Sequence, residues 1–147
     1  MRASRTLVAI AVAAVGLGSA PVAGDQAQTT FHAGLNGQRE QPNPADRDGS
    51  GFARVTVDTV TGQICYQVTV RNIAPATAAH IHVGERDDAG PVVQGLQPPT
   101  DGSSSGCVTN AALAADLAAN PSGYYVNVHN AEFTTGAVRG QLAGQRH

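Results

Sequence analysis

The strongest case for chemistry in this chain lies in Ala79-His80-Ile81-His82-Val83. Side chains alternate along an extended strand, so His80 and His82 share one face while Ile81 and Val83 take the other. At roughly 3.3 Å per residue their Cα atoms stand about 6.6 Å apart, a separation from which two imidazoles can converge on one cation. A third histidine has a similar setting. In Tyr124-Tyr125-Val126-Asn127-Val128-His129, Val126 and Val128 form the apolar side and Asn127 and His129 the polar one. If the two strands are neighbours, His80, His82 and His129 supply three nitrogen ligands, the number found in many zinc and copper sites. The plainer reading is histidines on the solvent side of half-exposed strands, a common arrangement.

Around these, Glu40 sits in a loop sequence, Gly37-Gln38-Arg39-Glu40-Gln41-Pro42, and Arg139 shares the polar face of its own strand with Gln141. The expectation for Glu40 and Arg139 is a structural ion pair pinning the loop, with Asn127 completing a polar binding patch. His32 and His147 carry no comparable pattern and are read as incidental. Nucleophilic catalysis has little support: there is no GxSxG elbow, and the serines cluster in one loop. A phosphate-binding glycine loop is missing too, because Gly34, Gly37, Gly49 and Gly51 lack the spacing and the following helix.

The elements that must position these residues are mostly strands. Residues 29–35 have extended character, and 36–50 collect Gly37, Pro42, Pro44 and Gly49 into a long loop. Residues 51–58 alternate with Ala53, Val55 and Val57 on one side, and 63–72 alternate with Ile64, Tyr66, Val68 and Val70, which predicts a hairpin. Further strands are expected at 78–84, 92–96, 124–130 and 137–142, and 97–106 reads as a flexible loop. One helix is expected, capped by Thr109 or Asn110, with Leu113 and Leu117 on one face and Asn120-Pro121 as its stop. About seven short antiparallel strands with one short helix predict an all-β fold, a β-sandwich or Greek-key barrel.

Residues 1–24 have the layout of a secretory signal peptide. Arg2 and Arg5 precede an apolar run over 7–17, too short to cross a bilayer of roughly 30 Å, and small residues follow. Pro21 disfavours a cut at Ala20, which places cleavage after Ala23 or Gly24 and leaves 25–147 as a single β domain with no membrane span. From Asp25 onward seven Arg face eleven Asp and Glu with no Lys, a formal charge of −4. Scattered arginines on an acidic chain argue against a nucleic-acid partner. Cys65 and Cys107 both fall in the exported part, where an oxidising compartment favours a disulfide between them, and they lack the close CxxC spacing of a redox or metal pair.

Several segments taken in order resemble a known family. These are 35–42 with Glu40-Gln41-Pro42, 76–84 with His80-Ile81-His82, 90–93 with Gly90-Pro91, 124–129, and 136–142 with Arg139-Gly140-Gln141. The succession resembles the CHRD domain over about residues 31–142, a family named for repeats in chordin and common among exported bacterial proteins. The resemblance implies an extracytoplasmic β-rich domain. It does not imply growth-factor binding, which is assigned to other modules of chordin. Two departures stand out: Gln41-Pro42-Asn43-Pro44 follows Glu40 where the family has a tighter Glu-Val-Pro-Pro, and Ala137 replaces a usual acidic residue. A likeness to copper-zinc superoxide dismutase extends only to the HxH pair on a strand.

Three readings follow. The first is a non-enzymatic, exported binding module whose partner is an unidentified extracytoplasmic ligand or protein. The second is a copper or zinc protein using His80, His82 and His129, with redox activity of a superoxide dismutase type as its enzymatic variant. Methionine is missing from the neighbourhood, which argues against a cuprous-specific carrier. The third is a structural protein of the cell envelope.

Overall fold

The structure, a computed structural model, describes residues 28–43 and 45–144. The signal segment, its cleavage position and His147 lie outside them. Among the described residues the chain order is six strands, one α-helix and three strands: β1 (Gln28–Asn36), β2 (Ser50–Asp58), β3 (Gln63–Arg71), β4 (Ala76–Val83), β5 (Val92–Leu96), β6 (Ser103–Thr109), α1 (Ala111–Ala119), β7 (Tyr124–Asn130), β8 (Val138–Gln141) and the short β9 (Ala143–Gly144).

All pairings are antiparallel, in the order β5-β4-β7-β8-β1-β2-β3-β6, with β9 against β1. The two end strands, β5 and β6, are consecutive in the chain, so the sheet curls round until they face each other. The chain between them bridges the gap: the Gln97 N–H donates to Tyr66 Oη on β3 at 2.8 Å, and the Thr100 hydroxyl donates to the Ala76 carbonyl on β4 at 2.9 Å. The result is an all-β, nearly closed barrel-like sheet with one short helix, as the strand pattern predicts.

Period-two alternation accounts for the interior. Ala53, Val55 and Val57 of β2 and Ile64 and Val68 of β3 are fully buried, as are Ile81 of β4 and Val126 and Val128 of β7. Each of the valine and isoleucine side chains contributes about 1.5–3 kcal/mol by leaving water. Helix α1 begins where expected, with Asn110 Oδ1 accepting from the Leu113 N–H at 3.2 Å, and it buries Leu113, Ala114 and Leu117. It ends at Asn120, after which Pro121 opens a 3-10 turn. The disulfide joins Cys65 and Cys107, which stand directly opposite each other on β3 and β6.

Two sequence expectations need correction. Residues 103–106 are strand, not loop, because Ser103 to Gly106 pair with Thr69 to Tyr66 of β3. Serines are poor strand formers alone, but an edge position beside a polar outward face costs them little. The second concerns β7, expected to be half exposed: Tyr125, Val126, Asn127 and Val128 are all buried, so both faces of its middle are covered. The core covers one face, and the loops after β1, β4 and β7 fold over the other. Among the described residues no helix is long and apolar enough to cross a membrane.

Candidate functional site

Strands β4 and β7 are neighbours, with Ala78 opposite His129, His80 opposite Asn127 and His82 opposite Tyr125. Directly paired residues of antiparallel strands project to the same side. The three histidines therefore share the outward face, and their ligand atoms all lie within 4.8 Å of one another. His80 Nδ1 stands 3.0 Å from His129 Nε2. The ring centroids of His80 and His82 are 5.6 Å apart, and those of His82 and His129 are 6.1 Å apart.

Backbone carbonyls orient two of the rings. His82 Nδ1 lies 2.9 Å from the Gly90 carbonyl, and His129 Nδ1 lies 3.1 Å from the Thr134 carbonyl. A carbonyl can only accept, so each Nδ1 carries the proton; His82 Nε2 is left with a free lone pair, and His129 Nε2 accepts from His80 Nδ1. Anchoring one ring nitrogen on an acceptor and aiming the other inward is how metal-ligating histidines are held. Tyr125 reinforces the His82 orientation. Its ring stacks on the imidazole with centroids 4.8 Å apart, and its hydroxyl receives the Gly90 N–H at 3.0 Å.

The polar residues beside the histidines lie on the same face. Asn127 stands opposite Arg139 on β8, and Asn127 Nδ2 donates to Glu40 Oε2 at 3.3 Å. The expected Glu40–Arg139 ion pair does not form. Arg139 instead donates to the carbonyls of Asp88 at 2.7 Å, Glu85 at 3.1 Å and Arg86 at 3.2 Å, and its guanidinium carbon lies 3.6 Å from the Tyr125 ring centroid. Three converging carbonyls and an aromatic face satisfy a planar cation that is only 2% exposed. Glu40 feels Arg139 through its field alone. Four buried side-chain polar atoms among the described residues lack a hydrogen-bond partner, and three are on this face: His82 Nε2, Glu40 Oε1 and Asn127 Oδ1. Gly136 makes room for the Glu40–Asn127 contact, since a Cβ there would come within 2.5 Å of Glu40 Oε2 and 2.6 Å of Asn127 Oδ1, at a backbone φ of +137°.

The CHRD domain family model matches residues 31–142. The chain belongs to the CHRD family. No curated protein and no solved structure matches it at a significant level. The match runs from Phe31 in β1 to Leu142 after β8, so the histidine face lies wholly inside the CHRD domain. CHRD membership supports an extracellular-type binding module, and the disulfide is consistent with an oxidising compartment.

Electrostatics on this face of the CHRD domain keep the imidazoles neutral. Burial lowers the pKa of His80 below its ordinary 6.5. Burial also lowers His82, assisted by the charges of His80 and Arg139 and opposed by the Gly90 hydrogen bond. His129 is lowered by burial and by the other two histidines, against the Thr134 hydrogen bond. Burial pushes the Glu40 carboxyl up to about 7, with Arg139 and Asn127 pulling the other way. Three uncharged imidazoles with converging ring nitrogens suit a borderline divalent cation, which would displace the proton shared between His80 Nδ1 and His129 Nε2. Tetrahedral coordination at about 2.0–2.1 Å places ligand nitrogens about 3.3 Å apart, close to the His80–His129 separation, and a small ring rotation brings in His82.

Residue patterns marked His80, His82, His129, Glu40, Asn127 and Arg139, and the structure gathers these six on one face. They missed the groups that hold the rings in place. The Gly90 and Thr134 carbonyls are main-chain atoms and carry no sequence signal. Tyr125 did carry one, because its parity with Asn127 and His129 places it on their side of β7. His32 is distant in role, stacked on Phe52 with centroids 5.4 Å apart.

Proposed function

We propose that this CHRD domain is an extracytoplasmic metal-binding module that holds one copper(II) or zinc ion on His80, His82 and His129. The convergence of the three imidazoles carries the reading. Their ligand atoms lie within 4.8 Å of one another, drawn from two strands whose pairing the sheet dictates. Two supports are independent of that distance. Nδ1 of His82 and of His129 is spoken for by a backbone carbonyl, which leaves Nε2 as the ligand atom. His82 Nε2 is buried with no hydrogen-bond partner, a costly arrangement for a nitrogen lone pair unless something binds it. Glu40, Asn127 and Arg139 act around the ion rather than on it. They fix the covering loops and the Tyr125 ring that backs His82. A lone-pair donor set of this kind suits metal carriage or a metal-built interaction surface.

The test is metal analysis of protein purified without a histidine tag, stripped with chelator and reloaded. One copper or zinc per chain is expected, falling below a tenth in the His80→Ala/His82→Ala double variant. Sub-stoichiometric metal in the unmutated, folded protein refutes the reading.

A further inference from the structure

We infer that the bound cation keeps one exchangeable position, and that this position takes a small anion arriving from solvent across Gly95 at the β5 edge of the sheet. The inference rests on the metal-binding reading above and adds what the metal binds in turn.

The donor set comes first. Among the described residues the cluster of metal-ligating side chains consists of His80, His82 and His129 alone. Zinc and copper(II) take at least four ligands, so three protein nitrogens leave a position for an external one. The charge then selects its sign. Neutral imidazoles leave both positive charges of the ion uncompensated. The Arg139 guanidinium, packed on Tyr125, which is itself stacked on His82, adds a fixed positive charge behind the site. A negative ligand is favoured by both.

Access is one-sided. On the inner flank His82 is closed in by the Tyr125 ring and by the Gly90 carbonyl. On the outer flank the cross-strand partner of His80 is Gly95 on β5, and that of His129 is Ala78 on β4. The two imidazoles that stand 3.0 Å apart are therefore bordered by a hydrogen and a methyl group where longer side chains would cover them. A Cβ built at Gly95 meets no atom within 4 Å, and β5 ends the sheet on that side. The approach admits a small monodentate anion such as azide, chloride or hydroxide.

Azide is the probe, titrated into copper(II)-loaded protein whose metal content is measured on the same sample. Expected is a saturable azide-to-copper charge-transfer band with one azide per copper and a matching change in the electron paramagnetic resonance spectrum. Gly95→Leu, which fills the approach, is expected to weaken azide binding at least tenfold at unchanged copper stoichiometry, and Gly95→Ala to leave it within twofold. One copper per chain with no azide band overturns this inference and leaves the metal-binding reading standing. Equal azide affinity in folded Gly95→Leu overturns the entry route. Failure to load copper or zinc at all defeats the metal-binding reading and this inference with it.

Discussion

Glu40→Gln is expected to stabilise this protein at alkaline pH and to leave it nearly unchanged in acid. The Glu40 carboxyl is held at about 7 against an ordinary 4.5, chiefly by burial. A raised acid pKa means that the folded state binds the proton more tightly than the unfolded chain. Stability is therefore full below 4.5 and is lost as pH rises through 7. At 1.36 kcal/mol for each tenfold change in proton affinity, the ionised carboxylate opposes folding by about 3 kcal/mol, reduced to about 2 kcal/mol by solvent screening at the loop. Glutamine removes that charge and keeps the shape. Its carbonyl can accept from Asn127 Nδ2 as Glu40 Oε2 does, and its NH2 can donate to Asn127 Oδ1, which has no partner in the unmutated protein. Urea unfolding of both proteins at pH 4.5 and pH 8 measures the difference. The expected gain of about 2 kcal/mol at pH 8 corresponds to a midpoint shift of about 1 M for a slope of about 2 kcal/mol/M. Histidine titration affects both proteins alike and drops out of the comparison. An equal difference at the two pH values, or a variant less stable at pH 8, refutes the account of Glu40 as a desolvated carboxyl.

Two further outcomes are expected. Zinc affinity, measured by chelator competition, should hold steady from pH 8 to about 6.5 and fall only below it, because burial keeps His80, His82 and His129 deprotonated past their ordinary pKa of 6.5; a decline already evident between pH 8 and 7 counts against this. The Cys65→Ser/Cys107→Ser double variant should lose about 4 kcal/mol in urea unfolding, the loop-closure entropy of a 42-residue separation, while retaining its metal stoichiometry, since the bridge joins β3 to β6 and the histidines stand on β4 and β7.

What could be foreseen in the residues depended on the range of the interaction that decides it. Strands such as β3 and the Asn110-capped helix are governed by neighbours one to four positions away, so Ile64, Val68 and Leu113 declare themselves by periodicity. The same alternation placed His80 with His82, and Asn127 with His129. The contact between the two groups was out of reach of any pattern. It depends on β4 and β7 pairing across β5, β6 and α1, with His80 and His129 separated by 49 positions in the sequence. Coverage was equally hidden. Asn127 is 3% exposed because separate loops close over it, and alternation carries information about sides, not about what lands on them. Arg139 takes a different partner from the Glu40 expected, because three carbonyls in one turn of loop outcompete a carboxylate that Asn127 already holds.

The separation of the two histidine-bearing strands has a consequence for when an ion can be acquired. His80 and His82 come ahead of His129 in the chain, and the three imidazoles are not assembled until β7 docks beside β4. On the metal-binding reading, loading therefore follows folding, and an unfolded chain offers an ion only the His80–His82 pair or His129 alone.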